Sequence, residues 1–350
     1  MFHTFKKIKK AIFSKTCDAD LDPDFLNRCL DDPQVLVEIT SRCNFACTYC
    51  SSSFKERKKV DMSLELFEHI VGQLPEITKK AVRLHIDGEP TVHPEFYTMA
   101  RLVNEHGLPV ALASNGSLLD PRFLDLDMDL VITLSTSAEE FSERHRKLDF
   151  GHYVDRVVDY VKKWTQKETT QSLTIQIIFD NNERNNQAYT SAKEEFLKSF
   201  ARRSNLSGIP SIEKGPSRIF TKSPREHLEF SRQYLATRGL YPEKGKRKPC
   251  EPVESGFCDS PWKRLAILAD GRVSYCCIDL SGGTVFTEPG EILSTGIKEL
   301  WLNHPRIRQV RDNFLSQSIT DEVCKTCLSA APGNRRCVGF KTGRHDSGAG

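Results

Sequence analysis

From about residue 33 to residue 220, short apolar β-rich runs alternate with longer amphipathic stretches, and nothing else in the chain restricts its fold as much. Such alternation is the mark of successive βα units, which build a parallel sheet with helical crossovers. Strands are expected over 35–39, 81–86, 109–113, 130–134 and 172–179. Helices are expected over 96–105, 153–164 and 187–203, and one more opens after Ser63, an N-cap ahead of Leu66, Phe67 and Ile70. A sixth unit is expected as a strand near 209–220 and a helix near 224–237, although Pro210, Gly215 and Pro216 weaken a regular strand there.

In a parallel βα array, chemistry gathers on loops after the carboxyl ends of the strands. The motifs here fall on such loops. Cys43, Cys47 and Cys50, spaced C-x3-C-x2-C in SRCNFACTYC, follow the first strand. Asp87-Gly88-Glu89-Pro90 follows the second, Ser114-Asn115-Gly116 the third and Ser135-Thr136-Ser137 the fourth. Three thiolates on one tight loop can hold three corners of an iron-sulfur cube and leave the fourth iron open to a ligand. Zinc is the competing reading, but it normally takes four ligands in two separated pairs.

Composition narrows the setting. The 350 residues are 38% hydrophobic, enough for one large core or a large core with a small satellite. A net charge of +3 demands neither nucleic acid nor an anionic membrane. No run of about twenty apolar residues exists to span a bilayer. Twelve cysteines without an export signal fit metal-bound thiolates in a reducing cytoplasm better than a disulfide framework. The start, MFHTFKKIKKAIFSK, places Phe5, Ile8 and Ile12 on one helical face among lysines, as in a short amphipathic helix or a frayed tail.

A C-x3-C-x2-C loop after the first strand and a GEP turn after the second resemble the radical S-adenosylmethionine (radical SAM) superfamily, over about residues 35–327. The resemblance implies an α/β fold, a partial (βα)6 TIM-like barrel followed by a small α+β auxiliary-cluster domain. It implies a 4Fe-4S cluster on Cys43, Cys47 and Cys50, whose open iron is chelated by SAM. Reductive cleavage would then give methionine and a 5'-deoxyadenosyl radical that abstracts hydrogen from substrate. By the same resemblance Tyr49 packs by the adenine, and Gly88, Glu89 and Pro90 form the turn that receives the methionine amino group. Asp87 stands where the family commonly has a first glycine. ITLSTS resembles the ribose motif, with Thr133 and Ser135 as hydroxyl contacts, and Asn115 is a candidate pocket residue. A flavodoxin or ferredoxin-type electron donor is implied as partner.

A second cysteine group lies downstream. Cys258, Gly271, Cys276 and the pair Cys324/Cys327 resemble the auxiliary-cluster modules called SPASM and twitch domains. Strands over 265–268 and 273–276 joined at Asp270-Gly271 read as a hairpin that draws Cys258 toward Cys276. GIKELWLNHPRIRQVRDNF reads as the helix before the closing C-x2-C. By spacing alone, zinc and iron-sulfur are equally served. The resemblance implies a single auxiliary 4Fe-4S cluster on Cys258, Cys276, Cys324 and Cys327, because Gly333 stands where the next cysteine of a complete module would fall. Cys277 points the other way along a strand. Cys250 and Cys337 are reserves, and Cys17 and Cys29 are ordinary buried thiols.

The expected organisation is an N-terminal extension (1–32), the partial barrel (33–240), the auxiliary module (241–340) and a tail (341–350). A second cluster would accept the electron left on a substrate radical, so the expected activity is a radical SAM oxidoreductase. Its single-cluster module resembles that of an aminocyclitol dehydrogenase. The substrate is expected to be a carbohydrate-like or nucleotide-linked small molecule, dehydrogenated or epimerised, with a ribosomal peptide as the alternative. The 42 residues before Cys43 are too few for the usual peptide-recognition domain. Residues 193–249 hold 14 Lys and Arg against 6 Glu, which would attract an anionic substrate or simply form a solvated face. A non-catalytic iron-sulfur carrier or redox sensor is the alternative of another class. An RNA-modifying enzyme would need an added RNA-binding domain, and none is visible, so no nucleic-acid partner is expected.

Overall fold

The computed structural model describes residues 23–48, 50, 57–179, 186–206, 208, 217–220, 227–234, 254–276 and 282–330. Helix α1 (Pro23–Asp31) leads into strand β1 (Gln34–Val37), and the array continues through β2 (Val82–Arg83), β3 (Val110–Ser114), β4 (Met128–Leu134) and β5 (Ser172–Phe179). Its helices are α2 (Leu64–Val71), α3 (Phe96–Glu105), α4 (Ala138–Ser142), α5 (Phe150–Gln166) and α6 (Gln187–Arg203). Ser63 caps α2 as expected, its hydroxyl accepting from the Leu66 amide.

The sixth unit differs from the sequence expectation. Residues 227–234 are a strand rather than a helix: β7 (His227–Tyr234) pairs parallel with β5, and β6 (Ser217–Phe220) pairs antiparallel to β7 at the sheet edge. The reason lies in HLEFSRQY, where Leu228, Phe230 and Tyr234 recur at even spacing, a period of two that suits the register of seven residue pairs with β5. The prolines that weakened the expected strand precede β6, at the edge where proline is tolerated.

The sheet order is β6-β7-β5-β4-β3-β2-β1-β8-β9. β8 (Arg264–Ile267) and β9 (Val273–Ser274) form the expected hairpin, with Gly271 at φ +83° in its turn. β8 also pairs parallel with β1 over four residues, so the C-terminal module extends the barrel sheet instead of standing apart. The rest of that module is α7 (Ser260–Lys263), α8 (Glu291–Ser294), α9 (Ile297–Asn303), α10 (Pro305–Leu315) and α11 (Glu322–Ala330). The single helix expected over GIKELWLNHPRIRQVRDNF is two, because Pro305 has no amide to continue α9 and starts α10 at N1.

Register divides each central strand into two faces. Val110, Leu112, Leu130, Ile132, Leu173, Ile175 and Ile177 are at most 1% exposed and form the core beneath the helices. The alternate residues Ala111, Ala113, Val131, Thr133, Thr174 and Gln176 are half-buried and line the concave side. Burying a side chain such as Ile132 contributes about 1.5–3 kcal/mol, which fixes which face looks inward. The cysteine loop and the turns after β2, β3 and β4 therefore meet at one end of a concave surface.

Candidate cofactor and metal centres

The cysteine loop is anchored by its own phenylalanine. Phe45, 8% exposed, packs edge-on to Phe141 at 5.8 Å and lies 5.0 Å from the His145 ring, while Arg144 sits over its face at 5.2 Å. The amides of Ala46 and Thr48 donate to the carbonyls of Arg144 and Glu143, each at 3.0 Å. Cys43, Cys47 and Cys50 are half-buried around this anchor, and none is in a disulfide. Burial above all, with the charges of Glu89, Cys47 and Cys50, pushes the Cys43 thiol up to about 12. Bound as thiolates, three cysteines on one loop need a cationic group to balance their charge. Among the described residues no three His, Cys, Asp or Glu close on a single ion. The donor set instead suits an iron-sulfur cube, in which each thiolate takes its own iron.

The turn after β2 lies directly on this loop. The Glu89 amide donates to the Arg42 carbonyl at 2.8 Å. Gly88 has φ +80°, and a Cβ there would stand 2.5 Å from the Arg42 carbonyl and 2.9 Å from that of Thr40, so only glycine permits the approach. Glu89 is 2% exposed and its carboxylate accepts four hydrogen bonds: from the Thr91 hydroxyl (2.6 Å) and amide (3.2 Å), the Ser114 hydroxyl (2.9 Å) and the Asn115 amide (2.6 Å). Burial raises its pKa against those donors. Its carboxylate thus welds the β2 turn to the β3 turn and leaves the backbone of the turn to face the concave side. Pro90 is buried and starts a 3-10 turn, Pro90–Val92.

Asn115 has the same kind of role. Its Nδ2 donates to Asn44 Oδ1 at 2.9 Å, and Asn44 in turn donates to the Ser117 hydroxyl at 2.9 Å, so the SNG turn is laced to the cysteine loop. Tyr153 on α5 donates to the carbonyls of Asn115 (2.9 Å) and Thr133 (3.1 Å), which fixes the ends of β3 and β4 together. The Thr133 side chain is on the concave face. Ser135 is fully buried and accepts from Arg144 Nη1 at 3.0 Å, so its hydroxyl supports Arg144 under the cysteine loop. Tyr49 lies outside the described residues, as do Cys17, Cys250, Cys277 and Cys337 and the segment 1–15. Cys29 is half-buried against the core, its thiol raised by burial.

Two features escaped the sequence reading. Glu38, a carboxylate inside the apolar run VLVEIT, is 0% exposed and is gripped by both terminal nitrogens of Arg57 at 2.9 and 3.0 Å. It also accepts the Ala269 amide of the hairpin turn at 3.1 Å, so this pair joins the cysteine-loop segment, β1 and the C-terminal module. The other is His85, which accepts the Ala113 amide on Nδ1 at 3.3 Å and so carries its proton on Nε2. Burial, with Arg83 nearby, lowers its pKa to about 3, leaving a neutral imidazole on the concave face. A charged or imidazole residue at a strand position was the available signal in both.

In the second cysteine group, Cys258, Cys324 and Cys327 are near enough to interact electrostatically: burial first, then neighbouring charges that include Cys327, lifts the Cys258 thiol to about 11, and burial first, then charges that include Cys258 and Cys327, lifts the Cys324 thiol to about 12. The Ser260 hydroxyl donates to the Tyr275 carbonyl at 2.8 Å, which brings the Cys258 loop beside Cys276. Cys324 and Cys327 are one turn apart on α11 and share a face.

Comparison with known proteins agrees with this geometry. Residues 37–187 match the radical SAM superfamily and residues 258–328 match SPASM, an iron-sulfur cluster-binding domain. The chain carries a radical SAM domain followed by a SPASM domain. A radical SAM domain implies a 4Fe-4S cluster with SAM, and a SPASM module implies auxiliary iron-sulfur binding. The chain is similar to a tungsten-containing aldehyde ferredoxin oxidoreductase cofactor-modifying protein of Pyrococcus furiosus, 38% identical over 27% of this chain and 28% of that protein. It is similar to the mycofactocin maturase MftC of Mycobacterium tuberculosis, 30% identical over 34% of this chain and 32% of that protein. The matched stretches thus span about a third or less of these relatives. The fold is shared with Streptococcus suis SuiB bound to precursor peptide SuiA, at a TM-score of 0.54, 13% identity and coverage of 96% of this chain and 85% of that one. No helix among the described residues is long and apolar enough to cross a membrane.

Proposed function

We propose that this radical SAM chain holds its SAM-binding 4Fe-4S cluster on Cys43, Cys47 and Cys50 and an auxiliary 4Fe-4S cluster on Cys258, Cys276, Cys324 and Cys327, and carries out a redox modification of a small-molecule substrate. The observation that carries the reading is the Gly88-Glu89 turn seated on a loop of three half-buried cysteines. When bound, the cluster and SAM together supply a 5'-deoxyadenosyl radical that removes a hydrogen atom from substrate. The chain's own residues do the rest. The backbone of the turn Asp87–Pro90 receives the methionine end of SAM, and Glu89, locked by four donors, keeps that backbone in place. Tyr49 and Thr133 contact the nucleoside, while Asn115 and Ser135 act through Asn44 and Arg144 to shape the loop. His85 offers its Nε2–H to an acceptor oxygen of a ligand on the concave face.

The preferred substrate is carbohydrate-like or nucleotide-linked, and the reaction is either a dehydrogenation, for which a cluster held on the auxiliary cysteines would accept the electron left on the substrate radical, or an epimerisation, in which a hydrogen atom is returned to that radical and no electron leaves. The half-buried Thr133, Thr174, Gln176 and His85 support a ligand rich in hydroxyl groups. A peptide substrate is the second reading, favoured by the similarity to a maturase and by the shared fold with a peptide-bound protein. A flavodoxin or ferredoxin-type protein is the proposed electron donor.

The test is iron and sulfide content with Mössbauer spectroscopy on anaerobically reconstituted protein, then dithionite and SAM. About eight irons per chain with 5'-deoxyadenosine formed is the expected result for two 4Fe-4S clusters. About four irons with zinc present removes the auxiliary electron acceptor. Absence of 5'-deoxyadenosine moves the chain to a non-catalytic iron-sulfur role.

A further inference from the structure

One cysteine of the second group has a hydrogen-bonding neighbour that no motif describes. Tyr275, between β9 and Cys276, is 2% exposed and its backbone is fixed by the Ser260 hydroxyl. Its own hydroxyl stands 2.8 Å from Asp321 Oδ2 and 3.6 Å from Cys324 Sγ. Asp321, with a side chain 9% exposed, is itself ion-paired to Arg306 on α10. A phenol has one proton to give. As a thiol, Cys324 could donate to the phenol oxygen; as an iron-bound thiolate it has no proton and can only accept. The Tyr275 proton is then contested by a carboxylate and a thiolate.

We infer that Tyr275 is a positioning residue that donates to the Cys324 thiolate, and that Asp321, held by Arg306, limits that donation, so that the three together set the reduction potential of the auxiliary cluster. The inference rests on Cys324 being a cluster ligand. Hydrogen bonds to ligating sulfurs and local charge are the protein's means of adjusting such a cluster. A donor to the thiolate favours the reduced, more negative state and raises the potential. A carboxylate that diverts the proton and adds negative charge lowers it. The arrangement therefore gives opposite signs for its two members, which ordinary packing of a buried tyrosine does not.

The experiment is an EPR-monitored dithionite titration of the full-length, reconstituted two-cluster protein, with Fe–S(Cys) stretches recorded by resonance Raman in H2O and D2O. Tyr275→Phe is expected to shift the auxiliary potential downward and to abolish a D2O-dependent shift of one Fe–S(Cys) stretch. Asp321→Asn is expected to shift the potential upward and to enlarge the isotope shift. Both variants titrating at the wild-type potential with iron retained would overturn the inference. Should Tyr275→Phe lose iron, Asp321→Asn decides: an upward shift supports the inference and an unmoved potential overturns it. Wild-type protein with one cluster signal would overturn the ligand assignment, and this inference with it, whereas two signals with unmoved potentials overturn the inference alone.

Discussion

Arg57→Met tests the join between the barrel and the C-terminal module. The Arg57 and Glu38 side chains are 6% and 0% exposed, with two parallel N–H···O contacts of 2.9 and 3.0 Å. Removing one partner of such a buried pair costs about 3–5 kcal/mol, because the remaining charge keeps its desolvation penalty. That is a fifth or more of a typical total stability of about 5–15 kcal/mol. At about 2 °C per kcal/mol for a chain of this size, the expected fall in midpoint is about 6–10 °C. The assay is thermal unfolding of reconstituted protein followed by tryptophan fluorescence, since Trp164 reports on the barrel and Trp262 and Trp301 on the module. Glu38→Met combined with Arg57→Met should recover most of the loss, because two apolar side chains of similar volume remove both desolvation penalties. The Ala269 amide then loses its acceptor at a cost of about 1 kcal/mol, so recovery stops short of wild type. A fall below about 2 °C in Arg57→Met, or a double variant no more stable than the single one, would refute the reasoning.

Gly88→Ala forces an alanine to φ +80° and a Cβ to 2.5 Å from a backbone carbonyl, so at least the left-handed cost of about 1–2 kcal/mol applies and the turn must move; SAM binding measured by equilibrium dialysis should weaken by ten-fold or more. Cys43→Ser should abolish 5'-deoxyadenosine formation, whereas Cys324→Ser should lower iron content by about half and leave cleavage measurable; equal, complete iron loss in both would count against two independent sites. His85 has a folded pKa of about 3 against an ordinary value of 6.5, so the unfolded chain binds the extra proton between those limits. Stability should therefore fall as pH drops from about 6.5 toward 3, and His85→Gln should flatten that dependence in urea midpoints taken at pH 7 and pH 5.

Several parts of this protein were legible in its residues because the signal was local. The strand at Ser172–Phe179 and the helices Phe96–Glu105 and Gln187–Arg203 have the bounds their periodicity predicts, and Ser63 caps its helix. The positions of the cysteines, the GEP turn and the SNG turn at one end of the sheet follow from the order of βα units. The hairpin at Asp270-Gly271 follows from turn chemistry. The strand His227–Tyr234 did not follow, since its short period-two pattern of Leu228, Phe230 and Tyr234 is interrupted by Arg232, and pairing with β5 selects the strand.

What the tertiary structure decided is the use of each polar group. The resemblance to radical SAM enzymes nominates Glu89, Asn115 and Ser135 for ligand contact, but the fold supplies Glu89 with four donors, Asn115 with Asn44 and Ser135 with Arg144. Partners 9 to 73 residues apart cannot be read from local pattern, because buried polar atoms are satisfied by whatever the packed chain brings within about 3 Å. The same holds for the parallel pairing of β8 with β1, which joins two modules through a register set by long-range packing. Local chemistry nominated the groups proposed to bind iron and SAM, and the packed fold determined which neighbours hold those groups in place.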